Sequence, residues 1–130
     1  MIKKAKFFAK EAVLRARYIM DKDCIFCKIA AGEIKTTPLW ESGTVVAFAD
    51  VNPVADVHIL IIPKRHIASV LTINASDGEE LVEMYRAAAE LVEEKKLEAF
   101  RLIFNGGKLQ HVGHLHMHLT AGGKIDWKKL

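Results

Sequence analysis

The alternation of polar and apolar positions is sharpest at residues 114–119, where three histidines are separated by Leu115, Met117 and Leu119. Successive side chains of a β-strand point to opposite faces. The pattern therefore predicts a strand over residues 112–119 that buries one face and presents three imidazoles on the other. Packing does not require three histidines on one face, and imidazole is a nucleophile, a proton carrier and a metal ligand. This row predicts a functional site.

The rest of the pattern predicts short strands on both sides of one long helix. Strands are expected at residues 39–40, 45–48, 58–62, 100–104 and 112–119. Ser76 and Glu79 have capping-box spacing, and apolar residues then recur at helical spacing as far as Lys96. A short turn or helix follows Cys24 and reaches Gly32. The order favours an α+β fold, a mostly antiparallel sheet of about five strands with one long helix packed on it.

Charge separates an N-terminal segment from the body of the chain. The net charge of the chain is +3, whereas six basic residues and one acidic residue give residues 1–20 a net charge of +5, so the remainder carries −2. We predict a basic helical extension at 1–20 and one domain at 21–130. The extension fits a surface helix, a helix contacting an anionic membrane or partner, or a targeting segment; alternatively, translation begins at Met20. The basic pI gives little support to nucleic-acid binding.

The cysteine content limits the expected cellular compartment and suggests a metal site. No apolar run is long enough to span a membrane, and no secretory signal is visible, so a cytoplasmic location is expected. Cys24 and Cys27 are the only cysteines, three positions apart. In such a chain this spacing indicates metal ligands or a redox pair rather than a disulfide that staples the fold.

Several ordered motifs resemble one family. Residues 114–120 resemble the His-φ-His-φ-His-φ-φ signature of the histidine-triad (HIT) superfamily, and further similarity lies in residues 24–29, 48–53 and 62–67. Asp126 and Trp127 follow the triad at the distance typical of the Hint-like nucleoside phosphoramidate hydrolases. The resemblance covers residues 23–127 and implies the HIT-like fold and a homodimer whose two sheets form one continuous sheet.

The resemblance also implies a reaction. His116 would attack the α-phosphate of a nucleotide derivative to give a covalent nucleotidyl-histidine, which water then hydrolyses to the nucleoside monophosphate. His118 would contact phosphoryl oxygens or help to protonate the leaving group, and His114 is the third catalytic candidate. The expected substrates are adenosine or other nucleoside 5′-phosphoramidates, or related nucleotidyl conjugates.

Candidate nucleotide contacts follow from the same motifs. Asp50 matches the family carboxylate that accepts the ribose hydroxyls, and a carboxylate suits a vicinal diol. Two sequence departures occur near the phosphate: position 111 is His where Ser or Thr is usual, and position 113 is Gly. The loop between Asn105 and Gln110 is also short. The implied nucleotide contacts are Phe26, Phe48, Asp50, Val51, Asn105, Gln110 and His111.

A structural zinc ion is the cofactor implied by the resemblance. Some superfamily members hold zinc with a cysteine pair, a histidine after the Pro-Lys motif and the first triad histidine. The matching residues here are Cys24, Cys27, His66 and His114. Such a site would remove His114 from acid–base work and leave His116 free, with His58 a hydrogen-bonding neighbour of the triad. The alternative is that both cysteines are reduced and metal-free.

Other functions stay open from the sequence alone. A dinucleoside polyphosphate hydrolase would need more room and positive charge beyond the α-phosphate. A purine-nucleotide-binding regulator with little turnover would not need the nucleophile at His116, whose presence favours an enzyme. A metal-buffering protein could use the triad itself as ligands.

Overall fold

A computed structural model describes residues 21–130, so the predicted extension and the start at Met20 lie outside the described residues. The described chain has two α-helices and five strands. The helices are α1 (Ile25–Ala30) and α2 (Gly78–Glu94). The strands are β1 (Trp40–Glu41), β2 (Val45–Ala49), β3 (Val57–Pro63), β4 (Arg101–Ile103) and β5 (Met117–Ala121). Short 3-10 turns occupy residues 70–72, 75–77 and 107–109.

The five strands form one antiparallel sheet in the order β1-β2-β3-β5-β4. The predicted α+β architecture of about five strands and one long helix is therefore confirmed. The central strands β2, β3 and β5 are buried along nearly their whole length, because both faces of the sheet are covered. No helix in the range 21–130 is long and apolar enough to cross a membrane.

One face of the sheet packs on α2. The apolar stripe of α2 recurs at helical spacing and meets alternate residues of the three central strands. This core contains Val45, Ala47, Ile59, Ile61, Met84, Ala87, Ala88, Leu91, Leu115, Met117 and Leu119. Each large apolar side chain buried here contributes about 1.5–3 kcal/mol to the stability of the folded state. The apolar partners of the histidines thus lie in the core, as the alternation predicted.

The opposite face carries a second apolar cluster beneath α1. Its members are Cys24, Phe26, Cys27, Val46, Phe48, Leu60 and Ile62. α1 ends as predicted near Gly32, whose φ of 81° is a left-handed conformation that glycine adopts without strain. We call this side of the sheet the triad face, because the histidines of residues 114–118 also lie on it.

The histidine strand is shorter than predicted. Residues 112–116 are not part of the ladder, and β5 starts only at Met117, so His118 alone of the three lies in the strand. Pro63 explains the boundary. It would pair with Leu115 if the β3–β5 register continued, but proline has no N–H to donate. The Leu115 N–H instead bonds the Ile67 carbonyl at 2.6 Å.

The start of α2 also differs from the prediction. Ser76 and Glu79 do not form a capping box; the reciprocal pair is Asn74 and Asp77, on the 3-10 turn that precedes the helix. The Asn74 side chain accepts from the Ser76 N–H at 2.9 Å, and Asp77 reaches back to the Asn74 N–H at 3.0 Å. The cap therefore comes before the 3-10 turn, and the helix itself begins at Gly78.

Three other boundaries shift by a few residues. β3 extends through Pro63, which still pairs with Val45 of β2. α2 ends at Glu94 rather than Lys96, whose φ of 54° is left-handed. The strand predicted at residues 100–104 shortens to β4.

A charged network joins the end of β3 to the start of α2. The Arg65 guanidinium donates to the Asp77 carboxylate, and its Nε lies 2.8 Å from Glu80 Oε1. All three side chains are largely buried. The network fixes the segment that leads from Pro63 to His66 against the helix.

We predict that Arg65→Leu lowers the free energy of unfolding by about 3–5 kcal/mol, because two buried carboxylates lose their cation. Arg86→Leu is the matched control, since Arg86 makes an exposed pair with Glu83 one turn away on α2. Arg86→Leu is expected to lower the free energy of unfolding by less than about 0.5 kcal/mol. Urea unfolding of both variants measures the difference, and equal costs would contradict a structural role for the network.

Candidate active site and metal centre

Polar side chains form a row across the triad face. Strand register places His58 opposite Thr120, and Thr120 opposite Arg101 on the edge strand. The Asp50 N–H bonds the His58 carbonyl at 3.0 Å on the other side. Side chains directly opposite one another lie on the same face. Asp50, His58, Thr120 and Arg101 therefore follow one another across the sheet, beside His118.

His116 has the arrangement of an imidazole nucleophile. Its Nδ1 lies 2.7 Å from the His114 carbonyl oxygen, which only accepts, so Nδ1 carries the proton. The other nitrogen, Nε2, then keeps its lone pair. The side chain is buried, and the Phe26 ring meets it edge-on with centroids 5.1 Å apart. The backbone bond and the aromatic ring together fix the orientation of Nε2.

His58 and His118 form a hydrogen-bonded pair with a defined direction. His58 Nδ1 accepts from the Val54 N–H at 3.1 Å, so the proton of this imidazole is on Nε2. His58 Nε2 lies 2.8 Å from His118 Nδ1, which must accept. The proton of His118 is consequently on Nε2, a buried atom without a hydrogen-bond partner in the described part of the chain. His118 thus presents one N–H that is available to a ligand.

Burial keeps these imidazoles neutral. Desolvation lowers the pKa of His116 and that of His58, although the nearby Asp50 carboxylate opposes both shifts. Burial, followed by the neighbouring His116 and His58, lowers the pKa of His118 to about 3. Burial lowers the pKa of His114 to about 4. At neutral pH the triad therefore offers lone pairs and N–H donors without positive charge.

The Asp50 carboxylate lies at the rim of this row. Its Oδ1 accepts from the Asn52 N–H at 2.8 Å, and its Oδ2 lies 3.4 Å from His58 Nε2. The side chain stays 18% exposed. The carboxylate is thus held by the turn before Pro53 while remaining accessible to a ligand.

A second group of side chains suits a metal ion. Cys24, Cys27, His66 and His114 each direct one ligand atom to a common point. Cys24 Sγ and Cys27 Sγ lie 3.4 and 3.5 Å from His114 Nδ1, and His66 Nδ1 lies 3.2 Å from both Cys27 Sγ and His114 Nδ1. Ligand atoms around tetrahedral zinc, with bonds of about 2.0 Å to N and 2.3 Å to S, lie roughly 3.3–3.8 Å apart. The four residues fit such an ion.

The surroundings of the four ligands support this fit. His114 Nε2 lies 2.8 Å from the Pro63 carbonyl oxygen, so it carries the proton and leaves Nδ1 free to bind metal. The Cys27 N–H donates to Cys24 Sγ at 3.4 Å. Burial raises the pKa of the Cys27 thiol to about 11, so a thiolate there needs a stabilising cation.

Asp50, His58 and His118 also lie close enough together to be considered as metal ligands. However, His58 Nε2 and His118 Nδ1 are only 2.8 Å apart. Two nitrogens bound to one tetrahedral ion lie roughly 3.3 Å apart. This group is therefore better described as a hydrogen-bond relay.

The predicted nucleotide contacts are only partly brought together. Phe26 and Phe48 meet edge-to-face at 5.8 Å beside the triad. Val51 is 90% exposed and does not join that apolar cluster. Gln110 donates to the carbonyls of Ala68 and Val112, at 2.7 and 2.9 Å, and so anchors its loop.

The Leu130 main-chain oxygen was not foreseen as part of the site. Asn105 Nδ2 donates to this oxygen at 3.2 Å, and His111 Nε2 does so at the same distance. The segment that carries Leu130 is held by the Asp126 N–H, which bonds the Val54 carbonyl at 3.0 Å. Main-chain acceptors such as this oxygen and the Pro63 carbonyl leave no signal in residue types.

Comparison with known proteins shows what this arrangement resembles. The family model described as "Scavenger mRNA decapping enzyme C-term binding" matches residues 23–129. The chain is 38% identical over 125 residues to the 14 kDa zinc-binding protein of Zea mays, covering 91% of this chain and 94% of that protein. It is 38% identical over 109 residues to the purine nucleoside phosphoramidase of Escherichia coli K12, covering 79% and 90%.

A solved structure shares the fold. The HIT family hydrolase of Legionella pneumophila Philadelphia 1 superposes with a TM-score of 0.76 at 40% sequence identity. The match covers 81% of this chain and 97% of the other. The similarity therefore extends over most of the chain rather than over an isolated motif.

We predict the tautomers of the three site imidazoles from their hydrogen bonds. At neutral pH, His116 carries its proton on Nδ1, whereas His58 and His118 carry theirs on Nε2. Long-range ¹H–¹⁵N correlation spectra of ¹⁵N-histidine-labelled protein distinguish the two tautomers. A proton on His116 Nε2 would show that the lone pair is not available for attack.

Proposed function

This chain belongs to the histidine-triad (HIT) family, and we propose that it hydrolyses adenosine or other nucleoside 5′-phosphoramidates, or related nucleotidyl conjugates, to nucleoside monophosphates. The observation that carries the proposal is the lone pair of His116 Nε2, which is oriented by the bond from Nδ1 to the His114 carbonyl. Relatives to which this chain is similar include a purine nucleoside phosphoramidase and an adenosine 5′-monophosphoramidase.

The proposed reaction has two displacements at phosphorus. His116 Nε2 attacks the α-phosphate, the bond from phosphorus to the leaving group breaks, and a nucleotidyl-histidine forms. The His118 Nε2–H donates to a phosphoryl oxygen. The hydrogen bonds from Val54 to His58 and from His58 to His118 orient this N–H for that contact. Water then displaces the histidine and releases the nucleoside monophosphate. Two easier steps replace one difficult displacement.

The nucleotide would lie along the triad face. Phe26 and Phe48 provide apolar surface beside His116 for a base or ribose. Asp50 is the carboxylate proposed to accept the two ribose hydroxyls, since its side chain is fixed yet accessible. Asn105 and His111 would donate to the phosphate region once they exchange the Leu130 oxygen for a ligand.

We further propose that Cys24, Cys27, His66 and His114 hold a structural zinc ion. Such an ion has no open ligand position, and it would stabilise the fold by joining the start of α1 to the segment before β5. In this proposal His114 is a ligand rather than an acid or base, and its contribution to chemistry is the carbonyl that orients His116.

A homodimer joined at β4 is also proposed. β4 is an edge strand of the described sheet, and an unpaired edge is a template for pairing with another chain. Phe100, directly before β4, and Val82 and Tyr85 on α2 are exposed apolar or aromatic residues. A second copy that covered them would continue the sheet across the interface.

We predict that His116→Ala abolishes the covalent intermediate and lowers turnover of adenosine 5′-phosphoramidate by about 10³-fold or more, since the nucleophile is removed. Mass spectrometry of the acid-quenched wild type should show one added nucleotidyl group, mapped to His116. Binding of adenosine monophosphate, measured by calorimetry, should persist in the variant and thereby show that it is folded. Normal turnover by His116→Ala would refute the proposed mechanism.

We predict one zinc ion per chain in protein purified without added metal. Cys24→Ser should lose the ion and unfold at lower temperature, because metal binding is coupled to folding. Ile25→Ser is the matched control, since it introduces the same hydroxyl at the neighbouring exposed position. Elemental analysis and thermal denaturation provide the measurements. Metal-free wild type with two titratable thiols would contradict the site.

A further inference from the structure

The four candidate metal ligands come from three separate segments of the chain. Cys24 caps α1 and Cys27 lies within it, His66 follows β3, and His114 precedes β5. Their ligand atoms lie within 4.8 Å of one another, and we call these four side chains the four-ligand centre. Each of the three segments also supplies a contact that bears on the orientation of His116. The candidate metal centre and the candidate nucleophile therefore share their supports.

The cysteine segment contributes the ring of Phe26. This residue lies between the two cysteines, and its side chain is buried on the triad face. Its ring meets the His116 ring edge-on, with centroids 5.1 Å apart, and the His114 ring with centroids 5.9 Å apart. A helix of six residues is too short to be stable by itself, so the position of Phe26 depends on what anchors α1. The two cysteine side chains are such an anchor when they bind metal.

The other two segments contribute the peptide unit that joins His114 to Leu115. The His114 carbonyl accepts from His116 Nδ1 at 2.7 Å. The Leu115 N–H of the same peptide unit donates to the Ile67 carbonyl at 2.6 Å, and Ile67 directly follows His66. A peptide unit is planar, so its carbonyl and its N–H turn together. The segment that carries one ligand thus holds the plane that directs the nucleophile.

The sheet itself does not hold this peptide unit. β5 begins at Met117, so residues 114–116 lie outside the β3–β5 ladder. The side chain of His114 is fixed through its own nitrogens, by the Pro63 carbonyl at Nε2 and by the four-ligand centre at Nδ1. The direction of the His114 carbonyl, and with it the orientation of His116, therefore depends on contacts around the four-ligand centre.

We propose that the four-ligand centre, when it holds zinc, orients the nucleophile His116, and that Phe26 is a positioning residue between the two. The proposal rests on the function and the zinc site proposed above. It assigns the centre a part in the first displacement in addition to its part in stability. With metal bound, the three segments are fixed at one point, and Phe26 and the His114 carbonyl hold His116 Nε2 toward phosphorus.

A zinc ion that only stabilises the fold predicts a different outcome. In that case metal removal lowers the melting temperature, but His116 keeps its hydrogen bond and its reactivity in the molecules that stay folded. If the four-ligand centre orients His116, metal removal weakens the bond from Nδ1 to the His114 carbonyl well below the melting temperature. The state of this bond separates the two roles without any measurement of turnover.

The experiment compares the zinc-loaded full chain with the same protein treated with a chelator, at a temperature where both are folded. Spectra of ¹⁵N-histidine-labelled protein report whether His116 carries its proton on Nδ1 and whether that proton is hydrogen-bonded. We expect one sharp Nδ1–H signal with zinc, and a broadened or lost signal without it. His66→Ala removes one ligand and none of the His116 contacts named above. It should reproduce the metal-free spectrum without a chelator.

A second readout isolates the first displacement. In single-turnover experiments with a saturating excess of enzyme over adenosine 5′-phosphoramidate, nucleotidyl-His116 is quantified after a denaturing quench. Metal removal should slow its formation by about 10²-fold, as expected when a reacting group is slightly misplaced. Phe26→Leu keeps all four ligands, so its zinc content should match the wild type. Its rate should fall by about 2–10-fold, because one edge-on ring contact with His116 is lost.

The control variant is Ile61→Val, which loses a methylene group in the core on the opposite face of the sheet. It should lower the melting temperature while the His116 signal and its response to zinc stay unchanged. A wild type that binds no zinc, or a folded metal-free protein with an unchanged Nδ1–H signal, would overturn the proposal. An unchanged rate in Phe26→Leu would overturn the assignment of Phe26. A zinc-dependent signal in a protein that forms no nucleotidyl-histidine would instead overturn the proposed reaction, so the two failures are distinguishable.

Discussion

The bond from His114 Nε2–H to the Pro63 carbonyl determines how the rest of the site is arranged. It directs the other nitrogen of His114 toward the cysteine pair and His66. Because the Pro63 nitrogen has no hydrogen, the β3–β5 ladder stops there, and residues 114–116 lie outside β5. The His114 carbonyl is then available for His116 Nδ1. One proline thereby orients both a candidate metal ligand and a candidate nucleophile.

The same arrangement explains how several buried imidazoles coexist. Four charged imidazoles on one face would repel one another and would each pay the cost of desolvation. In the structure each has a direction set by a main-chain group or a neighbour, and burial keeps them neutral. Neutral imidazoles have one donor and one acceptor each. The backbone bonds at Val54, Pro63 and His114 therefore select which nitrogen of each ring faces a ligand.

Much of the fold followed from the sequence, because periodicity records which residues meet the core. The alternation of Leu115, Met117 and Leu119 correctly predicted that the histidines lie on the opposite face from the core. The apolar residues at helical spacing correctly predicted α2. The ladder boundary at Met117 could not be predicted from that alternation, since it depends on how Pro63 of a distant strand is aligned with Leu115. The shifted cap at Asn74 depends likewise on Asp77 joining a network with Arg65.

The candidate site also has a part that could be predicted and a part that could not. Its side chains are visible in the sequence, whereas its main-chain contacts are not. The cysteine spacing and the family resemblance together identified the four potential metal ligands, whose ligand atoms lie within 4.8 Å of one another. Residue types could not identify the acceptors at Pro63 and Leu130, since every residue has a main-chain oxygen. The Pro63 carbonyl fixes the tautomer of His114, and the His114 carbonyl fixes that of His116. Because these main-chain acceptors decide which nitrogen of each ring keeps its lone pair, the chemistry open to the site depends on backbone geometry that residue types do not record.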